Sequence, residues 1–302
     1  MLKKLRFKSE DNRNVRVWTI GQGEPVVVLH GLGITGLPLF PIFSLFLHKY
    51  MFILPEARGH GRTDFGEVNL SSKSLESYLA DDLEEILNHL KVKPKYMIAY
   101  SMGAMTALEF LSREKNSFIK KYLHIDFPVV FYDKNNNNSF FRNSISNDLH
   151  NSHKDLIADL KKDKYHKKVK LDNDEISYVT ELYFKHYKEL LNVSLANNVL
   201  SMTLNMVPEI LIKKTMPDIN IVHYILMSLY FNGGNFVDRA RKIKAHTFLV
   251  ACTKESLFDC HTVLAFSKLI KRTEKIVIKN GSHSCLFTNP IQIQKVLRRF
   301  LE

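Results

Sequence analysis

Ser101 is the residue with the clearest chemical potential in this chain. It stands in the run IAYSMGAMTAL (98–108), with Ala99 and Gly103 two positions to either side. Small residues at both flanks suit a sharp strand-to-helix turn, where a bulky group at either place would clash. Such a turn presents a hydroxyl above the end of a sheet, and the helix N-terminus beneath favours developing negative charge. The chemistry that follows is nucleophilic attack on an acyl carbon. A plain helix-capping serine is the alternative reading.

Two further segments supply what that chemistry requires. The run VVVLHGLG ends in His30-Gly31-Leu32-Gly33, a loop whose backbone N–H can form half of an oxyanion hole. The Leu32 N–H is assigned that half, and the N–H of Met102, directly after the serine, the other. The His30 side chain is read as a core histidine bracing the loop. Near the C-terminus, VIKNGSHSCLF places His283 in a loop after Gly281, at the carboxyl end of the last expected strand. Sites in α/β sheets gather at those ends, and the order serine, acid, histidine fits a catalytic triad.

These residues need a scaffold, and the chain alternates strand-like with helix-like segments. Short apolar runs rich in β-branched residues fall at 25–30, 50–55, 95–100, 121–126, 246–251 and 274–279, and read as buried parallel strands. In SLESYLADDLEEILNHL (74–90), Leu75, Leu79, Leu83, Ile86, Leu87 and Leu90 share one helical face. Further helices are expected at 102–115, 261–271 and 290–301, the last with Pro290 in its first turn. The alternation predicts an α/β fold with a mostly parallel, doubly wound sheet. Residues 1–20 are expected to add an antiparallel edge hairpin.

The alternation stops between 127 and 240. The polar run DKNNNNSF (133–140) leads into helical patterns near 144–163, 174–192, 195–213 and 218–231, and FNGGNF (231–236) reads as the exit loop. The organisation expected is a core in two parts, 1–126 and 241–302, interrupted by a helical cap at 127–240. Phe, Tyr, Met and Leu lie on more than one face of the cap helices, which suggests an apolar pocket.

Composition narrows the classes. Of 302 residues, 45% are hydrophobic and 25% charged, the balance of an ordinary folded protein. No apolar run is long enough to span a membrane, and the start, MLKKLRFKSEDNRNV, lacks the apolar core of a signal peptide. A cytoplasmic location is expected, with Cys252, Cys260 and Cys285 as reduced thiols. The net charge of +12 comes from scattered lysines without a nucleic-acid-binding signature. Nucleic acid is therefore not an expected partner. The basic run KKDKYHKKVK (161–170) is read as a solvated face, with attraction to an anionic lipid surface or an acidic carrier as the weaker reading.

Taken together, HGLG, EARGHGRT (56–63), AYSMGA, LVACTKESLFD (249–259) and NGSHS make the chain resemble the α/β-hydrolase fold superfamily. The resemblance spans nearly the whole core. It implies a Ser–His–acid triad, a helical lid and no cofactor. Serine rather than aspartate at the elbow disfavours the haloalkane-dehalogenase and epoxide-hydrolase branches. Where the family shows Gly-x-x-Asp after the strand that follows the lid, this chain has Cys252-Thr253-Lys254-Glu255. Glu255 matches the position of the acid. Asp259, four residues on, and Asp126, at the end of the strand before the lid, are the alternatives. The leading expectation is a hydrolase of carboxylic esters or thioesters, acting on a small molecule with an apolar acyl group. Acyl transfer by the same triad and a non-catalytic ligand-binding protein are the other classes.

Overall fold

The structure is a computed structural model that describes residues 2–69, 72–130, 217, 218, 225, 235–254 and 258–302. Its centre is an eight-stranded sheet: β1 (Lys3–Lys8), β2 (Asn14–Gly21), β3 (Glu24–Leu29), β4 (Tyr50–Pro55), β5 (Tyr96–Tyr100), β6 (Lys121–Ile125), β7 (His246–Cys252) and β8 (Thr273–Ile278). The strands lie in the order β1-β2-β4-β3-β5-β6-β7-β8. β2 pairs antiparallel with β1 and β4, whereas all pairings from β4 to β8 are parallel. The edge hairpin and all six apolar runs thus become strands, with ends within two residues of those expected.

The helices among the described residues are α1 (Phe40–Phe43), α2 (Leu75–His89), α3 (Met102–Ser112), α4 (Val237–Arg241), α5 (Cys260–Ala265), α6 (Cys285–Thr288) and α7 (Pro290–Leu301). They cover both faces of the sheet. Val27 and Leu29 of β3 share one core with α2, α3 and α5, and Val26 and Val28 share the other with α1 and α7. That alternation is the period-two exposure of a strand buried on both sides. α2 starts at the N-cap Ser74 and buries Leu75, Leu79, Leu83, Ile86 and Leu87, the face read from the sequence. α5 ends sooner than the expected 261–271, passing into a turn of 3₁₀ helix at Phe266–Lys268. No helix among the described residues is long and apolar enough to cross a membrane.

The EARGHGRT turn is held by a buried carboxylate. Glu56 is buried and accepts from Arg16 Nε (2.6 Å), Trp18 Nε1 (2.9 Å) and the Arg62 backbone N–H (2.8 Å). A Cβ on Gly61 would fall 2.2 Å from the Glu56 carboxylate, so glycine at its φ of 59° leaves room for that bonding.

Most of the expected cap, 127–240, lies outside the described residues, including its predicted helices and the Asn run. Its two ends meet: Val130 bridges Asn235, and the Phe236 N–H donates to the Val129 carbonyl at 2.7 Å. Within it, Pro217 and Ile225 are buried, and the Asp218 N–H donates to the Gly59 carbonyl at 2.7 Å.

Candidate active site

Ser101 sits between β5 and α3 with φ 53° and ψ −122°, a conformation that costs a non-glycine residue on the order of 1–3 kcal/mol. Neighbouring backbone holds it there. Its N–H donates to the Ile125 carbonyl of the adjacent strand (3.2 Å), and its carbonyl accepts from Ala104 (2.7 Å). Gly103 explains the small flank, since a Cβ there would lie 2.5 Å from the Leu29 carbonyl oxygen and 2.8 Å from that of His30. The helix start therefore packs directly on the end of β3, and the HGLG loop comes beside the serine. A Cβ on Gly31 would be 3.3 Å from the Ser101 Cβ.

His283 reaches the serine from the loop after β8. Its Nε2 is 2.9 Å from Ser101 Oγ, and its Nδ1 is 2.9 Å from Asp126 Oδ2. A carboxylate accepts only, so Nδ1 carries the proton and Nε2 is free to accept from the serine hydroxyl. The imidazole and carboxylate are buried while Ser101 is half-buried. The imidazole and carboxylate are thus shielded from water, while the Ser101 hydroxyl is partly open to it.

Glu255, the acid expected from the sequence, lies outside the described residues. The carboxylate that meets His283 Nδ1 is that of Asp126, and the reason is the strand order. β6 lies between β5, which carries Ser101, and β7, so the residue that ends β6 comes up beside both. Asp126 then turns out of the strand at φ 48°. Its Oδ1 accepts from the Cys252 N–H of β7 (3.2 Å) while Oδ2 meets the histidine. Asp259 caps α5, accepting from the His261 and Thr262 N–H groups.

The His30 side chain braces the loop as expected. Its Nδ1–H donates to the Gly31 carbonyl (2.8 Å) and its Nε2 accepts from the Ala57 N–H (3.0 Å). Burial lowers its pKa, which suits a neutral ring. Two residues escaped the sequence reading. His60, buried with its ring centroid 4.9 Å from that of His30, accepts from the Gly33 N–H at 3.4 Å and so supports the same loop. Burial, then the neighbouring His30, pushes its pKa down to about 3. Tyr100 donates from its hydroxyl to the His283 carbonyl (2.7 Å), tying the elbow to the histidine loop. The only hint of either in the sequence is position, inside GHG and AYS. The Met102 N–H, first of α3, has no intrahelical acceptor. Leu32, the other residue named for the oxyanion hole, follows Gly31 in the loop beside Ser101.

A sequence model of the alpha/beta hydrolase fold matches residues 24–290, and the chain belongs to this family. A curated relative, the AB hydrolase superfamily protein YisY of Bacillus subtilis (strain 168), is 23% identical over 133 residues. That match covers 42% of this chain and 47% of the relative, about half the length of each. Among solved structures, the esterase EaEST from Exiguobacterium antarcticum superposes with a TM-score of 0.70 at 17% identity, covering 99% of both chains. The N-acyl homoserine lactonase AidH, crystallised with N-hexanoyl homoserine, gives 0.67 at 15%, covering 100% of this chain and 96% of that one. At such identities the likeness is one of fold.

Proposed function

We propose that this hydrolase-family protein cleaves a carboxylic ester or thioester through a Ser101–His283–Asp126 triad. The observation that carries the reading is the chain of two 2.9 Å hydrogen bonds from Ser101 Oγ through His283 to Asp126. In the first step His283 Nε2 takes the hydroxyl proton as Oγ bonds to the acyl carbon. The carbonyl oxygen gains the electron pair and is held by the Leu32 and Met102 N–H groups. Asp126 stabilises the imidazolium without taking its proton. Collapse expels the leaving group, which receives the proton from His283, and leaves the acyl group on Ser101. Water, activated by the same imidazole, then attacks the acyl carbon and regenerates the serine. No cofactor enters.

Segment 127–240 is proposed to cap the site and line an apolar acyl pocket. The buried Ile225, sharing a core with Met102 and Phe127, and the bond from Asp218 to Gly59 support a cap at the carboxyl ends of the strands. Esterase and lactonase activities among proteins of the same fold agree with an ester bond as target.

The test is turnover of p-nitrophenyl esters of graded chain length beside a panel of acyl thioesters, with fluorophosphonate labelling. Ser101→Ala should lower kcat by about 10³-fold or more and abolish labelling while leaving the fold intact. Labelling at another residue, or activity kept in the alanine variant, would reject the assignment. Apolar substitutions within 127–240 should shift chain-length preference more than the labelling rate of Ser101. An unchanged preference would remove the cap from the pocket.

A further inference from the structure

Asp126 owes its place to a backbone turn, and a buried side chain outside the proposed triad closes that turn. β6 presents Tyr122 and His124 to the same face of the sheet, and neither has any measurable exposure. The Tyr122 hydroxyl lies 2.8 Å from His124 Nδ1, and His124 Nε2 lies 2.6 Å from the Phe127 carbonyl oxygen. A carbonyl can only accept, so Nε2 carries the ring proton and Nδ1 accepts from the tyrosine. Phe127 directly follows Asp126, whose φ of 48° is a left-handed conformation that favours glycine or asparagine. The bond from residue 124 to residue 127 therefore spans the turned residue and fastens the chain just beyond it.

The other sides of the turn are fastened as well. The Ile125 carbonyl accepts from the Ser101 N–H (3.2 Å), and the Asp126 N–H donates to the Val250 carbonyl (2.9 Å). Those two bonds come from β5 and β7 and hold the chain up to Asp126. His124 adds the fastening beyond it. An apolar residue would suit the surroundings of His124 better, since Phe266 lies 4.7 Å away ring to ring and Phe127 6.3 Å. A buried imidazole there is otherwise unfavourable, as its pKa, lowered to about 4 by burial, records. Its hydrogen bonds explain the choice.

We infer that His124, oriented by Tyr122, is a positioning residue that holds the Asp126 turn so that its carboxylate meets His283. The inference rests on the reading of Ser101, His283 and Asp126 as a triad. It predicts that the effect of losing His124 falls on turnover and not on substrate affinity, because His124 is wholly buried and offers no surface to a substrate.

The experiment compares wild type, Ser101→Ala, His124→Leu, His124→Gln and Tyr122→Phe in p-nitrophenyl butyrate turnover and fluorophosphonate labelling rate. His124→Leu should lower kcat and labelling by about 10–100-fold with KM within about twofold, the scale expected for a misplaced catalytic group. His124→Gln, whose amide N–H can reach the same carbonyl, should return kcat to within about fivefold of wild type. Tyr122→Phe should lower kcat by about threefold at unchanged KM, and it decides the matter if His124→Leu does not fold. Wild-type kcat in folded His124→Leu, or in Tyr122→Phe if the leucine variant does not fold, overturns the inference. So does a glutamine variant no better than the leucine one. If Ser101→Ala itself keeps full turnover, the triad reading fails first, which separates the two failures.

Discussion

Lowering the pH should destabilise the fold through histidines that the interior keeps neutral. His124 and His60 are fully buried, and burial pushes the first down from its ordinary 6.5 to about 4 and the second to about 3. Above about pH 6.5 neither the folded nor the unfolded chain binds the extra protons, and these groups contribute nothing to the pH dependence. Below it the unfolded chain takes up protons that the folded protein refuses, so stability falls with pH. Each refused proton costs about 1.4 kcal/mol per pH unit. For His124 the gap between 6.5 and about 4 develops to about 3 kcal/mol by pH 4. His60 adds a similar amount by that pH and continues to lose stability toward pH 3. Roughly 6 kcal/mol in all is a large share of a typical folding free energy of about 5–15 kcal/mol. The assay is urea unfolding at pH 7, 6, 5 and 4, read by circular dichroism and by the emission of the single tryptophan, Trp18. Carboxylates titrate in the same range, so the informative quantity is the difference between wild type and His124→Gln. That difference should move by about 3 kcal/mol in favour of the variant between pH 7 and 4. Parallel stability curves would refute the reasoning.

Asp126→Asn should leave a folded protein with kcat lowered by up to about 10⁴-fold, whereas Glu255→Gln and Asp259→Asn should each cost less than about tenfold. Steady-state kinetics of the three variants checks this, and a larger loss at Glu255 would return the acid to that residue. Gly103→Ala should lower stability by about 3 kcal/mol and slow fluorophosphonate labelling, because the added Cβ meets the Leu29 and His30 carbonyls and backbone cannot step aside. Thermal unfolding with parallel labelling measures both effects.

Much of this molecule is local in origin and could be read along the chain. The central strands β3 to β7 are continuous apolar runs buried on both faces, and their period and length distinguish them from the amphipathic helices between them. Ser101 was legible because its requirement is local too: a tight turn needs small residues two positions away, and Gly103 packs on the carbonyls of Leu29 and His30. His283 was legible as a loop residue at the end of the last strand. Which carboxylate stands beside His283 was not. The sequence offered Glu255, Asp259 and Asp126, and the neighbour of His283 is set by strand order. Asp126 and His283 lie 157 positions apart and meet only because β6 is placed between β5 and β7. The same holds for Tyr100 on the His283 carbonyl and His60 behind the HGLG loop. Each makes a bond to a distant backbone group, which hydrophobic period and residue type do not encode. Residue identities along the chain determined the sheet and the elbow that holds Ser101, because those depend on near neighbours. The tertiary structure alone decided the carboxylate and its supports, because three-dimensional adjacency, not spacing, brings an acceptor to a particular nitrogen.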